Sequence, residues 1–504
     1  MMQHLIILPV LLPLLTGVAL LIHRGGALTL RRTANVLSTI ALVVVGILLV
    51  AESTDDTIRY YAVGDWQPPF GIILVLDRLS ALMVMLTSLL ALGSLLYACA
   101  GDDEQGSNFH GLFQLQLMGI NGAFLTGDLF NLFVFFEVLL IASYALLMHG
   151  GGKARTHAGF HYVALNLLGS MLFLIALGIL YGTMGTLNMA DMSAVVTTLD
   201  TADLGLVKAG ALLLLIVFGL KAAMLPLYFW LPRAYAAAPA PIAALFAIMT
   251  KVGIYSIIRV YTLIFGEQAG PLANLAQPWI WWLGLATLAL GAVGVLSARD
   301  MRTQVAYLIL VSVGTLLAGI GMHSEAALGA LLYYLTHTTL VSGGLFLLVD
   351  AIAQQRGKAG ARIVQSRTLT QPATLGLLFF AGAIAMAGLP PLSGAFGKAL
   401  LLQAATTAQQ HWLWPILLGS GLASLIALSR TGSTIFWRAS GEKTGITLGP
   451  LRVTGTLMLI GCAPLMVAFA GPITAFTQAT AAQLLDRDAY VESIIARGDT
   501  GGDA

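Results

Sequence analysis

The chain has 504 residues, 58% of them hydrophobic and 10% charged, with a formal net charge of +2. A soluble domain carries about 25% charged residues, so this composition excludes an ordinary soluble enzyme and belongs to an integral membrane protein. The near-neutral balance offers no basic face for nucleic acid, and Cys99 and Cys462, in or beside apolar runs, read as buried thiols.

The opening Met-Met-Gln-His-Leu-Ile-Ile-Leu-Pro has no lysine or arginine ahead of its apolar run. It reads as a first membrane helix, not a removed signal peptide. Apolar runs near the spanning length of about 20 residues fall at 5–22, 33–51, 79–98, 109–127, 129–148, 159–182, 206–231, 240–265, 279–297, 303–322, 326–349, 373–407, 413–430 and 451–476. These fourteen runs predict an all-α polytopic membrane protein with both termini on one side. Taking that side as the outside, sixteen lysines and arginines fall in inside loops, among them Arg24, Arg31, Arg32, Lys153 and Arg155. Six fall in outer segments or helix ends, including Arg78, Arg259, Arg487 and Arg497, and three lysines remain in the membrane. This bias supports both termini outside the cytoplasm. Trp66, Trp279, Trp281, Trp282, Trp412 and Trp414 would form an outer interfacial belt. The segment 52–78 reads as a folded outer loop, and 477–504 as a frayed polar tail in which Leu484 to Ala496 could form a surface helix.

Two spans are interrupted. In 216–241, Lys221 lies well inside the apolar run and Pro226 follows it, removing a backbone donor and obstructing the preceding turn. In 388–401, Gly-Leu-Pro-Pro-Leu-Ser-Gly-Ala-Phe-Gly-Lys-Ala-Leu-Leu contains Pro390 and Pro391 followed by Lys398. Broken helices and charges at membrane depth are tolerated where they face protein or a water-filled cavity. Paired interruptions in the two halves point to inverted repeats.

Assigning all 23 acidic residues leaves Glu137 as the one carboxylate deep within a run. With it stand Lys221, Lys251, Lys398 and the central His337. At about 2.5–3.5 kcal/mol per central charge, four such groups cost on the order of 10 kcal/mol, comparable with a typical folding stability of about 5–15 kcal/mol. They must be paired, neutralised or hydrated. Desolvation weakens a lysine's basicity and a neighbouring carboxylate restores it, so moving a carboxylate toward or away from a lysine loads or releases a proton. The bland alternatives are a structural Glu137–Lys221 ion pair, a Lys398 that snorkels to the interface, and a neutral His337 bonded to Thr336 or Ser342.

Other features carry less. His157 and His161 are spaced as zinc ligands can be, but no carboxylate or cysteine accompanies them. Gly397-Lys398 lacks the glycine and the hydroxyl residue of a phosphate loop, and no dinucleotide or haem motif is present, so neither metal nor cofactor is expected. Asp77-Arg78 reads as a structural anchor for the third span.

The motifs as a set resemble the antiporter-like membrane subunits shared by respiratory complex I, membrane-bound hydrogenases and Mrp-type cation/proton antiporters. The resemblance runs from about 75 to 440 and rests on Asn131 to Tyr144 around Glu137, Gly219-Leu-Lys-Ala-Ala-Met-Leu-Pro-Leu-Tyr-Phe-Trp-Leu-Pro, Ala238-Pro-Ala-Pro through Lys251-Val-Gly-Ile-Tyr, Asp300-Met-Arg-Thr-Gln-Val-Ala-Tyr and Gly388-Leu-Pro-Pro-Leu-Ser-Gly-Ala-Phe-Gly-Lys. Tyr228 and Tyr235, where complex I relatives usually carry histidine, make it most similar to the Mrp branch. The resemblance implies fourteen helices, two inverted five-helix repeats and broken seventh and twelfth helices. It divides the chain into 1–108, 109–265, 279–438 and 451–504. It also implies that Glu137, Lys221, Lys251 and Lys398 carry protons, and that the partners are other antiporter subunits, protons and monovalent cations. After His337 the chain reads Thr-Thr-Leu-Val-Ser-Gly-Gly, without the lysine many relatives have there. The expected function is proton translocation within a sodium or potassium/proton exchanger, a secondary transporter and not an enzyme. The alternatives are a proton-pumping subunit of a redox complex and a non-conducting scaffold.

Overall fold

Inside a bilayer a segment that satisfies its own backbone hydrogen bonds can cross, and the apolar runs here are built of helix, two of them interrupted. The structure is a computed structural model describing residues 3–23, 25, 27–443 and 447–499. Arg24 lies outside the described residues, as does the end of the tail. Helices α1 (Leu8–Ile22) and α2 (Leu28–Glu52) lead into a hairpin of β1 (Arg59–Ala62) antiparallel to β2 (Ile73–Leu76), with Arg59 opposite Leu76. The outer loop expected over 52–78 is therefore partly strand. Helices α3 (Arg78–Ala98), α4 (Phe109–Leu125), α5 (Leu129–Leu147) and α6 (Lys153–Met184) follow, then a short α7 (Met189–Val195). The first interrupted span is α8 (Leu204–Ala222) and α9 (Trp230–Ala237).

The run 240–265 is not one uniform helix: α10 (Ala240–Phe246) passes to α11 (Met249–Leu263) through i→i+3 bonds such as Ile248 N to Leu245 O, 3.2 Å. Such tightening within a helix often marks a hinge or a strained stretch, and Lys251 sits directly after it. Helices α12 (Gln277–Ser297), α13 (Met301–Gly321) and α14 (Glu325–Gln355) precede the second interruption, α15 (Pro372–Ala387) and α16 (Ser393–Ala404). The chain closes with α17 (Thr407–Gly432), α18 (Pro450–Ile460), α19 (Cys462–Ala468), α20 (Ala470–Leu485) and α21 (Arg487–Asp499). Among the described residues eleven helical segments are long and apolar enough to cross a membrane, and α1 and α15 are shorter apolar helices.

The tail departs from the frayed segment expected. Helix continues to residue 499, and Thr477, Thr480, Ala481 and Leu484 are buried, as are Tyr490 and Ile494 of α21. These residues recur at helical spacing and pack inward, so the segment is a docked element and not frayed chain. Gln483 accepts from Arg78 N (2.9 Å) and donates to Asp56 O (3.2 Å), while Arg487 donates to Ser193 Oγ (2.7 Å). Of the six tryptophans expected in an interfacial belt, five have exposed rings, whereas Trp281 is 9% exposed and packs inward.

Candidate functional site

Both interruptions end their first helix in the same way. At α8, Met224 N bonds Gly219 O (2.7 Å) and Ala223 N bonds Leu220 O (3.1 Å); at α15, Leu389 N bonds Ile384 O (3.1 Å) and Gly388 N bonds Ala385 O (3.2 Å). This is the Schellman pattern, which requires a left-handed residue just past the helix. Gly388 (φ 80°) supplies it without steric cost, whereas Ala223 (φ 63°) adopts it against the clash between Cβ and the following carbonyl. Pro226, Pro390 and Pro391 follow these turns and prevent the helices from resuming at once. Trp230 Nε1 adds a second bond to the Leu220 carbonyl (3.0 Å), and Leu225 N donates to Thr287 Oγ1 of α12 (2.9 Å).

Each interruption also places an ammonium at a helix C-terminus, where orphan carbonyls and the helix dipole favour positive charge. Lys221 lies in the last turn of α8 itself. Lys398 reaches back from α16 to donate to Ala387 O (2.9 Å) and Met386 O (3.4 Å), and at 7% exposed it does not snorkel. A Cβ at Gly388 would lie 2.6 Å from Lys398 Cδ, so the glycine also makes room for that side chain.

Glu137 and Lys221 are linked rather than paired. No carboxylate oxygen among the described residues lies within 4.0 Å of Lys221 Nζ. Both side chains meet α6 instead: Ser170 Oγ donates to Glu137 Oε1, and Lys221 Nζ donates to Asn166 O (3.4 Å) and Asn166 Oδ1 (3.3 Å). Ser170 Oγ also lies 3.0 Å from Asn166 O. A chain therefore runs carboxylate, hydroxyl, carbonyl, ammonium, and Lys221 Nζ stands 5.8 Å from the Phe136 ring centre. Glu137 is half-buried within an exposed apolar stripe of α5 formed by Phe130, Val134 and Ile141.

Lys251 is fully buried, and its Nζ has no hydrogen-bond partner among the described residues. Its helix is held hard against α8: a Cβ at Gly253 would lie 2.6 Å from Ala222 N and 2.9 Å from the Lys221 carbonyl carbon. His337 Nδ1 bonds Ser393 Oγ (2.7 Å), the first residue of α16, in place of the expected Thr336 or Ser342. That contact ties α14 to the second interruption. His157 and His161 stack edge-on at 5.0 Å on an exposed part of α6.

Sequence reasoning missed a buried pair at the hairpin face. Arg259 of α11 meets Asp77 Oδ2 at 2.6 Å, with side chains 4% and 3% exposed. Asp77 caps α3 as well, accepting from Ser80 N (2.8 Å), while Arg78 turns to Asp56 (2.7 Å). At the opposite face, Asp102 in the α3–α4 loop meets Arg452 of α18 (3.1 Å), and Asp350 of α14 accepts from Tyr97 (2.9 Å) and Arg302 (2.7 Å). Burial, reinforced by the Asp350 charge and opposed by Arg452, pushes the Asp102 carboxyl up to about 6. Nothing local flags such pairs, because each partner sits at the end of its own run, where charges are ordinary.

The family described as NADH:quinone oxidoreductase/Mrp antiporter, TM, matches residues 126–424, which takes in both interruptions. The chain belongs to this family. Its relatives include the D subunit of a probable K(+)/H(+) antiporter of Rhizobium meliloti, 40% identical over 99% of this chain and 99% of the relative. The D subunit of the Na(+)/H(+) antiporter of Alkalihalophilus pseudofirmus is 35% identical over 98% and 100%. Among solved structures, a chain of the Mrp complex from a Dietzia species superposes with a TM-score of 0.88 at 26% identity, covering 98% of this chain and 100% of that one. A chain of respiratory complex I from Thermus thermophilus superposes at 0.79 with 26% identity, covering 95% and 99%. The all-α polytopic antiporter-like fold expected from the motifs is the fold found.

Proposed function

We propose that this chain is the proton-carrying D subunit of a multi-subunit Mrp-type Na+ or K+/proton exchanger in a bacterial inner membrane, with both termini periplasmic. The observation that carries the reading is the link Glu137–Ser170–Asn166–Lys221 beside a broken helix. An acid and a base held on one polar thread, without a direct ion pair, can exchange a proton by small movements, whereas a tight pair would hold both charges in place. Protonated Glu137 gives its proton to the Ser170 hydroxyl. The hydroxyl's own proton passes to a neutral Lys221 amine once that amine swings from the Asn166 carbonyl, which only accepts, to the hydroxyl; the carboxylate left behind favours the ammonium. Lys251 and Lys398 then extend the relay, with His337 at the second break. Two repeats, 109–265 and 279–438, would each supply one interruption, between the helices of 1–108 and those of 451–504.

Glu137 itself supports assembly with other subunits. A half-buried carboxylate in an apolar stripe facing lipid would be costly, and a neighbouring subunit is the natural cover. The cation is not carried by a second acid in this chain, since Glu137 is the one carboxylate deep within a span; its route would lie wholly or partly on a partner. The test is cation-triggered collapse of a preset pH gradient in inverted vesicles containing the whole assembly. Glu137→Gln and Lys221→Ala should each lower the rate at least tenfold with assembly intact and with no redox donor present. Full exchange in both assembled variants would leave only a scaffold role, and dependence on an electron donor would move the chain to a redox pump.

A further inference from the structure

Beside the second interruption, α15 and α17 leave between them an apolar groove of about 760 Å³. One wall runs from Pro372, the first residue of α15, to Leu389, the residue after the left-handed Gly388. The other runs from Leu425 to Trp437. Glycines give the groove its depth: a Cβ at Gly432 would lie 3.0 Å from Phe379 Cε1, and one at Gly376 would lie 3.6 Å from Phe436 Cε1. Its flanks, Leu377 and Phe380 on α15 and Leu422 and Ile426 on α17, are exposed. The lining is graded. Ser429 and Ser433 lie toward the Trp437 end, whereas Ile384, Leu389 and Leu425 line the other. At the Trp437 end the helix changes pitch: Ser433–Trp437 is a π-turn, with Arg438 N bonded to Ser433 O (3.1 Å), and the consecutive Phe436 and Trp437 both line the groove. Such turns are frequent at functional sites. Arg438 follows, exposed, with no carboxylate within 4.0 Å among the described residues. The segment from Arg438 to Lys443 holds those two cations and one acid, Glu442.

We propose that this groove holds one acyl chain of an anionic phospholipid, with the chain end against Leu389 and the headgroup beside Arg438. It is too slender for a helix of a partner. Along α15 it is about 20 Å long at 1.5 Å per residue, so its volume corresponds to a cross-section of about 40 Å², half the ~80 Å² of a helix about 10 Å across. Its length suits a lipid chain: one leaflet of hydrocarbon is about 15 Å deep, so a chain entering at Trp437 reaches the interruption near the bilayer middle. Its polarity runs one way, with hydroxyls, a tryptophan and a cation at the mouth and hydrocarbon within, which is the order of a lipid's ester, headgroup and chain. The mouth also lies on the face that the lysine and arginine bias assigns to the inside, where anionic headgroups attract basic segments.

The test is photolabelling of the whole assembly in phosphatidylcholine vesicles that contain a trace of phosphatidylglycerol with a diazirine at the end of one acyl chain. Labels located by mass spectrometry should fall on residues 383–389 and 425–428, at least threefold more than with a phosphatidylcholine probe of the same chain. Ala383→Phe, which fills the groove, should lower this labelling at least fivefold. Arg438→Gln should lower it at least threefold with phosphatidylglycerol and leave the phosphatidylcholine probe unaffected. Equal labelling by the two probes, or labelling unchanged in either variant, would overturn the site. Absence of label from both probes would mean that a partner helix covers the groove, and would overturn it as well. If Ala383→Phe does not assemble, Arg438→Gln, an exposed substitution, decides alone. The readout is labelling and not transport, so its outcome is independent of whether the assembly exchanges cations.

Discussion

One hydroxyl hydrogen at Ser170 faces two acceptors, the Glu137 carboxylate and the Asn166 carbonyl that also serves Lys221. A rotation about a single bond thus decides whether the hydroxyl serves the acid or the carbonyl that holds the base. Ser170→Ala removes the connection and leaves a carboxylate without its donor; a hydrogen bond to a charged group contributes about 1.5–3 kcal/mol. Cation-triggered exchange should fall roughly tenfold or more, a factor that corresponds to about 1.4 kcal/mol, while Ser170→Thr retains most of the rate. The charged members of this thread were legible in the sequence because an ionised group inside an apolar run is costly and rare. Asn166 and Ser170 were not, since neutral polar side chains occur in many membrane helices for packing alone. Their place between the acid and the base emerges only when α5 and α8 are seen to approach the same part of α6.

The helix ends carry the next level of the argument. Proline signalled both interruptions, but the left-handed turn at Ala223 had no glycine to announce it, and the tightened passage before Lys251 has neither glycine nor proline. Ala223→Gly should relieve about 1–2 kcal/mol of left-handed strain, less the backbone entropy glycine adds to the unfolded chain. A small rise in the thermal unfolding midpoint of the purified assembly is the expected result, and Ala223→Val should lower it. Gly394 has the opposite requirement: a Cβ there would lie 1.9 Å from Ala385 O and 2.8 Å from His337 Nε2. Gly394→Ala must push α16 away from α14 and α15, so the Ser393–His337 contact and the seat of Lys398 shift together. Exchange should drop at least tenfold although no ionisable group has changed. Normal exchange in an assembled Gly394→Ala variant would show that the geometry of the second interruption is not critical.

Across the whole molecule, ion pairs near the span ends join segments distant in sequence. Asp102 connects the α3–α4 loop to α18, and through Arg452 and Gln354 to Asp350 on α14. Because the folded protein raises the Asp102 carboxyl from 3.8 to about 6, the native state binds a proton between those values that the unfolded chain does not. Stability therefore falls as pH rises from about 4 to 6 on this group's account and is flat above it. Asp102→Asn should flatten that part of a melting-temperature profile; an unchanged slope would assign it to other groups.

The hairpin face is sealed by residues from opposite ends of the chain: Gln483 and Arg78 are 405 positions apart. Contacts of such separation form late, and segments made first at the ribosome wait for those made last. A chain halted before α21 would thus already hold Glu137, Lys221 and Lys251 in the bilayer while Asp77 and Arg259 lay uncovered. Completion of synthesis and burial of the Asp77–Arg259 pair become one event, and an unfinished copy carries that charge pair uncovered.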